Sequence, residues 1–204
     1  MGPTRTTESE RTPDRDATER ALQDAALRLM ERNGVLAGLN LREVAAEAGV
    51  NRGLVYHYFG SRRELLRASL SRSAGKRFTE VAEAGDLPFR ERMLVFIQTM
   101  VRHRQAVRLA TLLISDGDES LRTMPLRDLT RQRLAQDVDN GGLDDVDLEA
   151  VHVATVSLTY GYVLYRERFA AELGISVTEL DDRFGAVADR MYRGLEPVSA
   201  PLQR

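Results

Sequence analysis

Hydrophobic residues recur along this chain with the spacing of α-helices. The first stripe begins near Ala17 and follows the i, i+3, i+4, i+7, i+8 pattern of one helix face: Leu22, Ala25, Ala26, Leu29 and Met30. Similar stripes run through 89–101 and 177–195, and a long helix is expected from about 147 to 173. Because no stretch alternates as a β-strand does, the pattern predicts an all-α protein of about nine helices.

Polar caps and glycines divide the pattern into separate helices. Residues suited to an N-cap precede four of them: Asn40, Asn51, Ser61 and Ser176. Three of these have a glutamate three residues later, which completes a capping box: Glu43, Glu64 and Glu179. Glycines suited to the C-terminal position follow three helices: Gly34, Gly49 and Gly174. The helices between residues 40 and 58 are therefore predicted to be only about two turns long.

Two short helices separated by AGVN at 48–51 have the layout of a helix-turn-helix. Gly49 permits the left-handed backbone that the turn needs, and Ala45 is small enough for the second helix to cross closely. In such units the second helix enters the major groove of DNA. We therefore predict a three-helix DNA-binding domain over 16–66, preceded by a polar tail at 1–15.

Charge is distributed unevenly. The whole chain carries a net charge of −2, yet 51–77 holds seven basic residues and one acidic residue. A charged stretch is commonly just a solvated helix face, but a basic patch on an acidic protein also suits a polyanion. The sequence of this segment, NRGLVYHYFGSRRELL at 51–66, favours the polyanion.

Its four consecutive ring-bearing residues, 56–59, cannot all face one core. Phe59 can anchor the short helix, while Tyr56 and Tyr58 can direct their hydroxyls to phosphates. At the helix start, the side chains of Asn51 and Arg52 suit the edges of adenine and guanine. Gly53 lets the backbone approach DNA closely. The helix beginning after Ser61 can hold a phosphate at its N-terminus, beside Arg62.

The stretch from ALQDAALRLMERNG through LREVAAEAGVNRGLVYHYFGSRRELL resembles the DNA-binding domain of the tetracycline-repressor-like (TetR) family. The resemblance covers about 20–66 and rests on LREVAAEAGV, the aromatic core and the SRRELL that follows. It implies a phosphate contact at Asn40 and a major-groove contact at Arg42. It further implies DNA contacts at Arg52, Gly53, Tyr56, His57, Tyr58 and Arg62. Leu54 departs from the threonine frequent in the family, and could touch a thymine methyl instead.

The same resemblance implies that 67–195 form an effector-binding and dimerisation domain, followed by a tail at 196–204. Apolar positions on the last two helices suit a four-helix bundle with a second copy: Gly161, Leu164, Leu180, Phe184, Val187 and Met191. Polar groups on apolar helix faces, His152 among them, indicate a cavity for a largely apolar effector. The residues chosen for it are Phe96, Met100, His103, Leu113, Thr155, Thr159 and Tyr162. Each polar one could equally be a satisfied packing residue.

Other functions find little support. The chain lacks cysteine, His-x-x-x-His spacing, phosphate loops and nucleophile elbows, so we expect no metal site, cofactor or enzyme activity. The N-terminus has no secretory signal and no apolar run would span a membrane, which predicts a cytoplasmic protein. A helical adaptor that binds protein is the alternative. The prediction is a homodimeric repressor that binds a palindromic operator in double-stranded DNA and is released by a small effector.

Overall fold

A computed structural model describes residues 12–34, 40–143 and 146–197. Within those ranges the chain forms nine α-helices and no β-strand, as the hydrophobic pattern predicts. Most of the predicted terminal tails, including Arg5 and Arg11, lie outside the described residues. The helices are α1 (Thr12–Asn33), α2 (Leu41–Glu47), α3 (Arg52–Phe59), α4 (Arg62–Glu83), α5 (Phe89–Arg102), α6 (Arg104–Ser115), α7 (Arg127–Asp139), α8 (Leu148–Leu173) and α9 (Val177–Arg193).

The ends of the helices follow the predicted caps. Asn40, Asn51 and Ser176 each accept a backbone N–H at the start of a helix, and Ser61 Oγ accepts the Glu64 N–H at 3.2 Å. Left-handed backbone at the predicted helix ends is adopted by Gly34, Gly49 and Gly174. The start of α1 differs from its prediction: it begins at Thr12 rather than near Ala17, because polar helix-forming residues extend the helix beyond its apolar stripe.

The chain divides into two compact units, 1–75 and 76–204. This boundary and the predicted division at 66–67 both lie within α4. The helix continues without interruption for 22 residues. One helix thus belongs to both units.

In the first unit, α1, α2 and α3 enclose a core of aliphatic side chains. Leu22, Val44, Val55 and Leu65 are fully buried at its centre. Tyr58 and Phe59 pack against this core from the end of α3. The core therefore fixes the short α3, which eight residues alone could not stabilise.

In the second unit, the core joins α5, α7, α8 and α9. Phe89, Leu134 and Tyr192 are buried in the main cluster, and the Phe89 and Tyr192 rings meet edge to face at 5.8 Å. The buried Arg92 guanidinium pairs with Asp137 and donates to the Leu87 carbonyl at 2.9 Å. None of the helices in the described ranges is both long enough and apolar enough to cross a membrane.

Candidate nucleic-acid interface and ligand cavity

The turn between α2 and α3 has the geometry that its sequence predicts. Gly49 has a φ of +70°, and the Val50 N–H closes the turn onto the Ala45 carbonyl at 2.9 Å. The Asn51 side chain then accepts the Gly53 N–H at 2.8 Å and starts α3. A Cβ on Gly53 would lie only 3.3 Å from that Asn51 oxygen, so glycine also preserves the cap.

The ring-bearing residues of α3 divide between the core and the solvent. Tyr58 and Phe59 are half-buried against the core of the first unit, and the Arg15 guanidinium lies 5.8 Å from the centre of the Tyr58 ring. Tyr56 and His57 are exposed, and 47% of Tyr56 is accessible to solvent. Core packing thus explains two of the four rings. The two exposed rings interact only with neighbours in the described residues of α3: the Tyr56 hydroxyl accepts from Arg52 at 3.4 Å, and His57 meets Tyr58 edge to face at 5.1 Å.

Arginines in the first unit differ in the partners they have. Arg28 and Arg32 both bind Glu47, at 3.1 and 2.8 Å, and hydrogen bonding to Arg32 lowers the pKa of that carboxyl. Arg42 and Arg52, in contrast, are exposed and have no carboxylate partner in the described part of the chain. The four exposed residues Arg42, Arg52, Tyr56 and His57 are together called the reading face below.

Some of the predicted DNA-contacting residues also interact with a neighbour in the chain. The Asn40 amide donates to Glu43 at 2.6 Å, while its oxygen accepts the Arg42 N–H at 3.1 Å. The Arg52 guanidinium lies 5.8 Å from the centre of the Tyr56 ring, one helical turn away. Arg62 is exposed in the first turn of α4. All nine predicted DNA-contacting residues therefore belong to α2, α3, their N-caps or the start of α4.

A cavity in the second unit lies among four helices and has a volume of about 40 Å³. It is lined by Val81, Arg92, Met93, Phe96, Thr130, Arg133, Leu134, Val151, His152 and Thr155. A space of this size holds a few water molecules at most. A drug-sized ligand needs roughly 300 Å³ or more. For such a ligand to bind, the half-buried side chains that line the cavity would have to move apart.

Two of the seven predicted ligand residues, Phe96 and Thr155, line this cavity. Thr159 is fully buried and donates to the Thr155 carbonyl at 2.7 Å, and Met100 and Leu113 are buried elsewhere. His103 Nε2 lies 3.2 Å from Glu80. The Tyr162 hydroxyl donates to Asp181 at 2.6 Å, and its ring stacks on Phe184.

The sequence analysis missed Arg133 and Thr130, which face the cavity from α7. Their helix is mostly polar, and its few apolar residues, such as the buried Leu134, form no long stripe that marks the face turned inward. His152, one of the wider candidates, lines the cavity, and burial followed by the charge of Arg127 lowers its pKa. Among the described residues, His, Asp and Glu form no group of three or more that could hold a metal ion.

Exposed apolar side chains mark the outer parts of α8 and α9. The predicted dimer residues Val187 and Met191 are 56% and 54% exposed, while Leu164, Leu180 and Phe184 are half-buried. A Cβ placed on Gly161 would meet no atom within 4 Å. Further exposed apolar residues that the sequence analysis did not select are Val153, Tyr165, Phe169 and Leu173.

Comparison with known proteins identifies the N-terminal domain. Residues 22–69 match the family described as bacterial regulatory proteins, tetR family. The HTH-type transcriptional regulator BetI of Rhizobium meliloti (strain 1021) is 46% identical over 57 residues. That alignment covers 28% of each protein, so the chain spans little more than a quarter of this relative's length.

The similarity to solved structures extends beyond the N-terminal domain. A TetR-like transcriptional regulator from Rhodococcus sp. RHA1 superposes with a TM-score of 0.58 at 22% identity, over 87% of this chain and 96% of that one. A structure described as a gamma-butyrolactone receptor (ArpA-like protein) gives a TM-score of 0.54 at 21% identity, over 89% and 99%. The family that residues 22–69 match is described as one of regulatory proteins. The N-terminal domain therefore resembles that of the TetR family of bacterial regulatory proteins, and the chain shares the fold of a TetR-like regulator.

Proposed function

We propose that this protein is a homodimeric transcriptional repressor that binds a palindromic DNA operator and is released from it by a small effector. The observation that carries the proposal is the reading face. Among the described residues, the exposed Arg42 and Arg52 have no carboxylate partner, while Arg28 and Arg32 on the same unit are paired. Cations without a carboxylate partner and exposed rings on a helix-turn-helix suit phosphate and base-edge contacts.

Each residue of the reading face has a chemical role in this proposal. Arg42 reaches the major groove from α2, and Arg52 presents two parallel donors to a guanine edge. The hydroxyl of Tyr56 and the ring of His57 contact the flanking backbone or bases. Asn40, Asn51, Tyr58 and Arg62 add polar contacts around this centre, and Gly53 lets the backbone approach.

A second copy completes the proposed DNA-binding species. Exposed Val187 and Met191 on α9 and the open space beside Gly161 on α8 favour a helical interface with a symmetry mate. The half-buried Leu164, Leu180 and Phe184 would close the edge of that interface. Two α3 helices spaced about 34 Å apart would then read two half-sites of a palindrome.

The effector is proposed to act through α4. Its last turn contributes Val81 to the cavity, and its first turn follows α3 directly in the chain. A ligand that widens the cavity would therefore move the helix that leads back to the reading face. The ligand must bind the released conformation better than the DNA-competent one, which makes release a population shift. A neighbour in fold described as a gamma-butyrolactone receptor supports a small-molecule ligand for this fold.

Selection of bound sequences from a random duplex pool tests the function directly. We expect enrichment of a palindrome bound by one dimer, followed by screening of effectors on the selected duplex. The helical adaptor is the other outcome: failure to enrich any sequence at low salt, where phosphate contacts are strongest, would contradict the repressor. The exposed apolar residues of α8 and α9 would then be the surface to test for a different protein partner.

A further inference from the structure

The cavity of the second unit has an unbalanced charge. Arg92 is compensated by Asp137, and the Thr155 hydroxyl donates to the Val151 carbonyl at 2.9 Å. Burial and the nearby Arg127 lower the pKa of His152, which favours its neutral form. Arg133 donates to the Ala82 carbonyl at 3.2 Å and has no carboxylate partner among the described residues. In the part of the chain that the structure describes, no acidic side chain lines the cavity.

The rest of the lining is mostly apolar. Val81, Met93, Phe96, Leu134 and Val151 surround the space, and Met93 and Leu134 are buried. An aliphatic or aromatic body would be stabilised there by the removal of its apolar surface from water. A guanidinium at the edge of such a space binds a carboxylate through two parallel hydrogen bonds.

We propose that the effector is a small organic acid whose hydrocarbon body occupies this cavity after its lining side chains have moved apart, and whose carboxylate binds Arg133. The proposal rests on the proposed ligand-responsive function and adds the chemical class of the ligand. It also assigns to Arg133 a positioning role at the end of α4. A neutral ligand would leave the charge of Arg133 unused, and a cationic ligand would be repelled by it.

Arg133 connects this cavity to α4. Ala82, whose carbonyl accepts from the guanidinium, lies in the last turn of α4. Gly85 follows in a short 3-10 turn, and a Cβ at that position would overlap the guanidinium group of Arg133. The missing side chain therefore provides the space in which Arg133 rests against the helix end. A carboxylate that draws Arg133 into the cavity frees the Ala82 carbonyl and loosens the end of α4.

Paired probes that differ only in charge test this proposal on the full chain without DNA. Benzoate and hexanoate are compared with benzamide and hexanamide by calorimetric titration and by the shift in Tm. We expect each acid to bind at least about tenfold more tightly than its amide, as a charge-assisted pair predicts. Equal affinities, or no binding by any of the four probes, would overturn the proposal.

Variants locate the effect at one residue. Arg133→Gln should bring each acid to the affinity of its amide, whereas Arg131→Gln, an equal loss of charge at an exposed position of α7, should leave the preference intact. Gly85→Ala displaces the guanidinium from the helix end but keeps its charge, so acid binding should persist. It provides a second readout if Arg133→Gln does not fold. Retained acid preference in Arg133→Gln, or its loss in Gly85→Ala, would contradict the assignment.

These measurements need no operator. If the duplex selection fails but the acids bind, the proposed repressor function is contradicted and the proposed organic-acid site remains. If a duplex is selected but the acids do not bind, only the organic-acid site is contradicted.

Discussion

The reading face and the outer parts of α8 and α9 both expose side chains that commonly contact a partner, but the chemistry of the two surfaces is opposite. The reading face exposes cations that have no carboxylate partner among the described residues, whereas α8 and α9 expose apolar side chains such as Val187 and Met191. Exposed arginines of the second unit do form ion pairs, as Arg168 does with Glu172 at 2.9 Å. The two surfaces therefore suit the two proposed partners: a polyanion for the first and a second copy of the chain for the other.

The largest expected effect concerns the apolar surface. Val187→Glu with Met191→Glu would place two charges in the proposed interface, where they could not be solvated. We expect the dimer to dissociate at least 100-fold more readily, measured by analytical ultracentrifugation. Thr178→Glu, an exposed position on another face of α9, should leave the dimer unchanged. A dimer that tolerates both glutamates would show that its interface lies elsewhere.

The next effect concerns the reading face. Arg52→Ala should weaken binding to the selected duplex by about 10- to 100-fold and relax specificity at one base position, because a bidentate base contact contributes about 1–3 kcal/mol. Arg28→Ala is the matched control, since Arg32 still neutralises Glu47 in that variant. Fluorescence anisotropy at two salt concentrations measures both. Equal losses in the two variants would mean that net charge, rather than the reading face, determines affinity.

A smaller effect is expected for Gly161→Ala, which tests whether a helix of the second copy packs against Gly161. Within one protomer, alanine there meets no neighbour and should stabilise α8 by up to about 1 kcal/mol. In the proposed dimer the added methyl should instead weaken association several-fold. Gly185→Ala on α9, where a Cβ also meets nothing, should raise stability without affecting association. The concentration dependence of Tm distinguishes the two outcomes, and unchanged association in Gly161→Ala would remove this glycine from the interface.

The smallest effect concerns pH. Because the folded state lowers the pKa of His152, the unfolded chain binds its proton more readily. The contribution of His152 to the free energy of unfolding should therefore be largest above about pH 6.5, the ordinary pKa of histidine. It should decline as the pH falls below that value. His152→Asn should flatten the decline in Tm between pH 7 and 5.5. An unchanged pH profile would mean that another group causes the decline.

Local signals in the sequence predicted the helices and their ends, because caps act within one turn. The Asn51 and Ser176 caps and the left-handed Gly174 required only neighbouring residues. The cavity could not be predicted in the same way. Arg133, on the mostly polar α7, donates to the Ala82 carbonyl 51 residues earlier in the chain and lies close to Gly85, and nothing in the local sequence marks that approach.

Tyr162, which the sequence favoured for a ligand, instead has a partner within the chain. It shares Asp181 of the next helix with Arg166, whose contact is at 2.8 Å. A polar residue on an apolar face carries the same signal whether its partner is a ligand or a carboxylate 15 or more residues away. The DNA contacts stay a prediction, and most of them could be proposed together because they adjoin along the chain at 51–58.

The uninterrupted α4 constrains how such proteins can diversify. Inserting one residue into a helix turns everything beyond it by about 100° and shifts it by about 1.5 Å. An insertion or deletion within α4 would therefore turn Val81 and Ala82, near its end, relative to Arg62 in its first turn. A chimera that joins the first turns of this helix to a different C-terminal sequence should preserve the length of α4 or alter it in steps close to whole helical turns.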